Sequence, residues 1–77
     1  MVTLCFDFGN TRLKYAVFTG PDLQSVEVLA DAEPDTIARL VNQIQPQKSI
    51  LSSVINHNKE MERVLAEHSK FHLLSNL

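Results

Sequence analysis

The chain has 77 residues, 44% of them hydrophobic and 21% charged, with a formal net charge of −2. That composition is too apolar for a disordered segment, and its charge balance argues against an autonomous nucleic-acid binder. A chain of this length makes one small domain that buries only about 60% of the surface its unfolded form exposes, so it is expected to be thinly stable and part of a longer protein.

No apolar run approaches the roughly 20 residues that cross a bilayer. The opening MVTLCFDF lacks the basic flank and small-residue cleavage site of a secretory signal. A cytoplasmic protein with no membrane partner is expected. Cys5 is the single cysteine, which rules out an internal disulfide, and it reads as a small buried hydrophobe in a strand.

Val2 to Phe8 places Val2, Leu4, Phe6 and Phe8 on one face and Thr3, Cys5 and Asp7 on the other, the period of two that marks a strand. After Gly9 and Asn10, Leu13, Tyr15 and Val17 alternate with Lys14, Ala16 and Phe18, so the two runs pair as an antiparallel hairpin. Gly20, Pro21 and Asp22 make a second turn. Leu23 to Ala30, with Val26, Val28 and Ala30 in phase, is a third strand.

The period then changes. Ile37, Leu40, Val41 and Ile44 fall at i, i+3, i+4 and i+7 in a helix that Pro34 opens and Pro46 stops. Lys48 to Ile55 is apolar on both faces around Ser52 and Ser53, as a strand inside a covered sheet would be. Met61, Val64, Leu65 and His68 define a second helix, with Glu60, Arg63 and Glu67 spaced to pair along its solvated side. Phe71 to Leu74 is the last strand. The order strand, strand, strand, helix, strand, helix, strand predicts an α/β fold with a mixed five-stranded sheet and the first strand near its middle. Two helices cannot cover both faces of such a sheet, so one face is expected to stay partly bare.

Chemistry concentrates between Asp7 and Lys14. Gly9 permits positive φ and close approach of backbone N–H groups, and Asn10 and Thr11 bring side-chain donors. Asp7 stands at a strand end where it can hold Mg²⁺ through water, and Lys14 can direct a positive charge to the same oxygens. As a bare pattern, however, these residues read first as a two-residue hairpin turn chosen for its backbone angles. Gly9 and Gly20 are the only glycines, so no Walker loop or dinucleotide-binding fingerprint supplies an independent phosphate site.

A strand ending in Asp-x-Gly-Asn-Thr, a hairpin partner bearing lysine and this element order together resemble the N-terminal, ribonuclease H-like half-domain of the actin-like ATPase and sugar kinase superfamily. The wording LCFDFGNTRLKYAVF is most similar to type III pantothenate kinase, and Leu51-Ser52-Ser53-Val54 resembles that family's fourth strand. The resemblance runs along the whole chain. It implies transfer of the γ-phosphoryl group of ATP to pantothenate, the first step of coenzyme A biosynthesis, with Mg²⁺ and a monovalent cation (K⁺ or NH₄⁺) in a homodimeric parent. It further implies that Asp7, Phe8, Gly9, Asn10, Thr11, Arg12, Leu13 and Lys14 contact the ATP phosphates, with Asp7 on the metal side. The family's Gly-x-Asp-Arg motif, which holds its general base, is absent before Leu77. The chain is therefore expected to be an inactive N-terminal part of such a kinase, with no catalytic residue of its own and no nucleic-acid partner.

Two other readings stay open. One is a regulatory relative without catalysis, of the transcriptional accessory kind. The other is a ribonuclease H-like metal-dependent nuclease, which also starts with an aspartate on its first strand but needs three or four clustered carboxylates. Glu27, Asp31, Glu33 and Asp35 read as solvated surface. His57, His68 and His72 share no face at fixed spacing and read as structural or surface histidines. Ser52 and Ser53 lack the glycine-flanked elbow of a nucleophile.

Overall fold

The computed structural model describes residues 1–9, 11–53 and 59–74. In it the chain runs β1 (Val2–Phe8), β2 (Leu13–Thr19), β3 (Asp22–Leu29), α1 (Pro34–Ile44), β4 (Lys48–Ser53), α2 (Lys59–His68) and β5 (Lys70–Leu74). This is the predicted order, with some ends shifted by a residue or two.

The strands lie side by side as β3-β2-β1-β4-β5. β2 is antiparallel to both β1 and β3, whereas β1, β4 and β5 run parallel. Connection length dictates this: short hairpins return the chain antiparallel, and helical crossovers return it parallel. The sheet is the mixed five-stranded one expected, and β1 is its central strand, hydrogen-bonded on both sides.

The β2–β3 link consists of Gly20 and Pro21, and Gly20 has φ of 57°, a left-handed conformation that glycine adopts without strain. A slip in register opposite Val17 and Phe18 leaves Gln24 without a cross-strand partner, a bulge in this edge strand. At the opposite side, Gln47 ties three strand starts together. Its N–H donates to the Val2 carbonyl (2.9 Å), its side-chain oxygen accepts the Val2 N–H (2.6 Å), and its carbonyl accepts the Lys70 N–H (2.9 Å).

The alternation in β1 buries Leu4, Phe6 and Phe8 under both helices. Phe6 meets Phe8 edge to face, with ring centroids 5.8 Å apart, and lies tilted against Tyr15. Helical spacing brings Ile37, Leu40 and Val41 of α1 and Met61 and Leu65 of α2 onto this layer, together with Leu29 and Leu51. Full burial of each such side chain is worth about 1.5–3 kcal/mol. α1 stops at Gln45, which turns left-handed (φ 53°, ψ 57°) and donates its N–H to the Val41 carbonyl, immediately before Pro46.

Among the described residues the other face of the sheet carries no helix, as two helices for five strands require. Leu23, Val26, Val28 and Leu74 are 55 to 60% exposed there. β4 consequently differs from the doubly covered strand its apolar run predicts. Ser49 and Leu51 are buried beneath the helices, while Ile50 is only half-buried on the open side. Val54 and Ile55 lie outside the described residues. Among the described residues no helix is long and apolar enough to cross a membrane.

Candidate metal and phosphate site

β1, β3, β4 and β5 point the same way, so their carboxyl ends gather at one edge of the sheet, where both helices also begin. Open α/β sheets bind ligands at that edge. Asp7 reaches it from the central strand, directly opposite Lys14 on β2 and beside Ser52 on β4. The parity of the strands puts all three on the open face. Asp7 and Lys14 are exposed, and neither side chain has a hydrogen bond or ion pair to another described residue. The pair therefore leaves a carboxylate and an ammonium side by side with their polar atoms uncommitted, while the backbone beneath Asp7 is fixed by ladders on both sides.

The hairpin differs from the tight turn that its sequence predicts. Four residues, 9–12, link β1 to β2, and the Gly9 N–H donates to the Arg12 carbonyl at 3.0 Å. Gly9 is not among the positive-φ residues, and a Cβ built on it would meet only the Arg12 carbonyl oxygen, at an ordinary 3.7 Å. The expected reason for this glycine, its backbone angle, is thus corrected. No described residue demands glycine here. Asn10 lies outside the described residues.

Beside the hairpin is a cleft of about 380 Å³, with Gly9, Thr11, Arg12 and Leu13 on one wall and Val28, Leu29 and Ala30 on the other. Thr11 and Arg12 are exposed at its mouth. Phe8 lies under the helices in the core rather than at the ligand edge, so only its backbone is available to a ligand. Leu13 packs against the same core.

The remaining acids do not join Asp7. The Asp31 carboxylate accepts hydrogen bonds from the Thr36 hydroxyl (2.6 Å) and the Glu33 N–H (3.0 Å). The Thr36 bond first, then the Glu33 bond, holds its pKa below the ordinary 3.8. Asp31 therefore organises the start of α1, where Glu33 makes no side-chain cap bond. Glu60 pairs with Arg63 at 3.4 Å on α2. His68 ends α2 and His72 faces outward on β5, while His57 falls outside the described residues. Among the described residues no three His, Cys, Asp or Glu side chains stand close enough to hold a metal. Mg²⁺ is held through one or two carboxylates with waters and phosphate oxygens, so Asp7 fits as a single ligand. Cys5 sits half-buried in the middle of the open face, where desolvation pushes its thiol pKa up.

Ser52 was not legible as a neighbour of Asp7. The parallel β1–β4 pairing brings it there from 45 residues away, and no local signal announces that.

No protein-family model matches the chain, and no curated protein matches it in sequence. Solved structures do. The fowlpox virus Holliday junction resolvase superposes with a TM-score of 0.72 at 17% identity, over 96% of this chain and 60% of that one. The same resolvase with its substrate Holliday junction DNA gives a TM-score of 0.68 at 16% identity, over 96% and 60%. Thermus thermophilus RuvC in complex with a Holliday junction substrate gives 0.64 at 12% identity, over 95% and 64%. The likeness shows a shared ribonuclease H-like fold, and this chain spans roughly 60% of those structures' length.

These findings correct the kinase expectation. The structures that superpose are resolvases, not pantothenate kinases, so the assignment to type III pantothenate kinase is withdrawn. With it go phosphoryl transfer to pantothenate, coenzyme A biosynthesis, and ATP and pantothenate as partners. The monovalent cation and the homodimer came only with that resemblance. The physical reason is that strand order and an aspartate on the first strand are common to kinases and nucleases of this fold, so layout alone could not separate them. The expected absence of nucleic acid is corrected as well, because two of these structures contain Holliday junction DNA. A net charge of −2 averages over the whole chain and conceals the local balance at the hairpin, where Arg12 and Lys14 stand against Asp7.

Proposed function

We propose that the chain forms the central sheet of a metal-dependent nuclease acting on branched DNA, with Asp7 as one carboxylate ligand of its Mg²⁺. The observation that carries this is the position of Asp7. It is an uncommitted carboxylate at the carboxyl end of the central strand, in a fold that superposes on the resolvases. The phosphate contacts expected of residues 7–14 are reassigned from ATP to the DNA backbone. Lys14 offers an ammonium beside Asp7, Thr11 and Arg12 offer donors at the cleft mouth, and Gly9 lets a phosphate approach the backbone. A bound Mg²⁺ would supply charge neutralisation at the phosphodiester oxygens and a more acidic water. Among the described residues no three His, Cys, Asp or Glu side chains gather at Asp7 or elsewhere, so a cleaving site needs further acids.

Paramagnetic Mn²⁺ in place of Mg²⁺ tests the assignment without requiring turnover. With a four-way DNA junction present, Mn²⁺ should selectively broaden the amide resonances of the hairpin around Asp7, and Asp7→Asn should abolish this while leaving the spectrum folded. Broadening centred on another part of the sheet, or unchanged in Asp7→Asn, would overturn the reading.

A further inference from the structure

Strand register sets out one row of residues along the carboxyl edge of the sheet: Val28, Lys14, Asp7, Ser52 and Leu74. Val28 and Leu74 are apolar and Ser52 is uncharged, so the formal charge of the row is that of one ammonium and one carboxylate. The row is neutral. The neighbouring sequence does not shift this balance toward a cation. Asp7 is the only acid before Asp22, and none occurs between Asp35 and Glu60, the stretch that holds β4, whereas Arg12 adds a second positive charge to the hairpin. Asp31, in the link from β3 to α1, has its carboxylate engaged by the Thr36 hydroxyl and the Glu33 N–H.

Residues directly opposed in an antiparallel pair have Cβ atoms about 4.5–5.5 Å apart, so the charge of Lys14 acts at short range on anything bound at Asp7. It acts in opposite directions on two ligands. A divalent cation is repelled and a phosphodiester is attracted. An ion pair would be the ordinary purpose of such a neighbour, yet the two side chains make none, and Lys14 is exposed with no partner among the described residues. Bracing of the hairpin therefore does not account for it. One carboxylate beside one ammonium is a poor site for Mg²⁺ alone, which completes its shell with waters and phosphate oxygens. A phosphodiester attracted by Lys14 brings those oxygens together with the missing negative charge.

We propose that Lys14 makes metal loading at Asp7 depend on the phosphodiester: it weakens the hold of the bare site on Mg²⁺ and strengthens the hold on a backbone phosphate, so that the two ligands load together. The inference rests on the reading of Asp7 as a Mg²⁺ ligand. Further acids would raise metal affinity without changing the sign of the Lys14 effect. Linkage between the ligands is reciprocal, so DNA raises metal affinity by the same factor by which metal raises DNA affinity.

Mn²⁺ titrations of the chain at low salt, read by broadening of the hairpin amide resonances, test it. Without DNA, Lys14→Gln should bind Mn²⁺ several-fold more tightly than the parent chain, and Lys14→Arg, which keeps the charge, should bind it as the parent does. Gel shift of a four-way DNA junction without divalent ions should give the reverse, with Lys14→Gln binding several-fold more weakly. Raising the salt from about 0.01 M to about 1 M shortens the screening length from about 30 Å to about 3 Å and should erase the difference in Mn²⁺ affinity. If Lys14→Gln binds Mn²⁺ no more tightly than the parent, or Lys14→Arg behaves like Lys14→Gln, the proposal is overturned while Asp7 stands as the metal ligand. Broadening that persists in Asp7→Asn would overturn both this proposal and the metal reading beneath it.

Discussion

The hydroxyls of Ser49 and Ser69 meet at 2.6 Å, and the Ser69 hydroxyl also lies 2.7 Å from the Leu65 carbonyl. Since Ser69 has one hydroxyl proton to donate to Leu65, Ser49 is the donor between the two. Ser49 is fully buried, the one buried polar side chain among the described residues, and this bond joins β4 to the end of α2.

The asymmetry of that chain of bonds sets the outcome of removing either end. Ser69→Ala strands the buried Ser49 hydroxyl and should cost about 1–3 kcal/mol, whereas Ser49→Ala removes only the donor and should cost about 0.5–1.5 kcal/mol. Urea denaturation of the two variants and the double variant measures the difference. Equal losses would mean that water satisfies Ser49 when Ser69 is gone.

Gly9→Ala separates folding from ligand contact. Because Gly9 is not at positive φ and its added methyl group meets nothing closer than 3.7 Å, the fold should be retained. Its stability should be unchanged or raised by about 0.4–1 kcal/mol through loss of unfolded-chain entropy. Affinity for four-way DNA in Mg²⁺ should fall, since the methyl group occupies the side from which a phosphate would approach. Thermal melting and a gel-shift titration read the two effects separately.

Asp31 makes α1 sensitive to acid. Its folded pKa is depressed, chiefly by the Thr36 hydroxyl, so its stabilisation is present above the ordinary value of 3.8 and is lost as pH falls through the lower folded value. Asp31→Asn should lower the melting temperature at neutral pH, and the gap to the parent chain should close progressively in acid. Circular dichroism melts across that range check the sign. A gap that widens in acid would show that Asp31 acts through another contact.

Phe6 is the hinge of the aromatic cluster, touching both Phe8 and Tyr15 while 2% exposed. Phe6→Ala should cost about 3–5 kcal/mol, enough to unfold a domain of this size, while Phe6→Leu should remain folded with a lowered urea midpoint.

Local periodicity made nearly all of the fold legible. The alternation from Val2 to Phe8 marked which side is buried, and Ile37, Leu40 and Val41 marked the face of α1. Boundaries slipped where the deciding group lies elsewhere, as with Lys70, whose N–H is held by the Gln47 carbonyl. The hairpin was misjudged because Gly-Asn is a strong turn signal by itself, and the actual four-residue link leaves Gly9 out of the left-handed region. Asp7 and Lys14 could be paired from the hairpin alone, being near in sequence. Ser52 could not, nor could the meeting of Lys48 with Lys70, because those neighbours exist only once the crossovers have set the parallel register. The chemistry assigned to Asp7 went astray for a related reason, since a single aspartate on a first strand is compatible with more than one kind of phosphate chemistry.

Asp7 is anchored in a strand that is braced on both flanks, whereas Gly9, Thr11 and Arg12 lie beyond the ladder at the hairpin tip, with the Gly9–Arg12 hydrogen bond as their backbone tie among the described residues. The bearing of the carboxylate is thereby decoupled from the shape of the tip. Tip residues can be exchanged or lengthened to retune which anion is admitted, and the acid will still aim at the same spot.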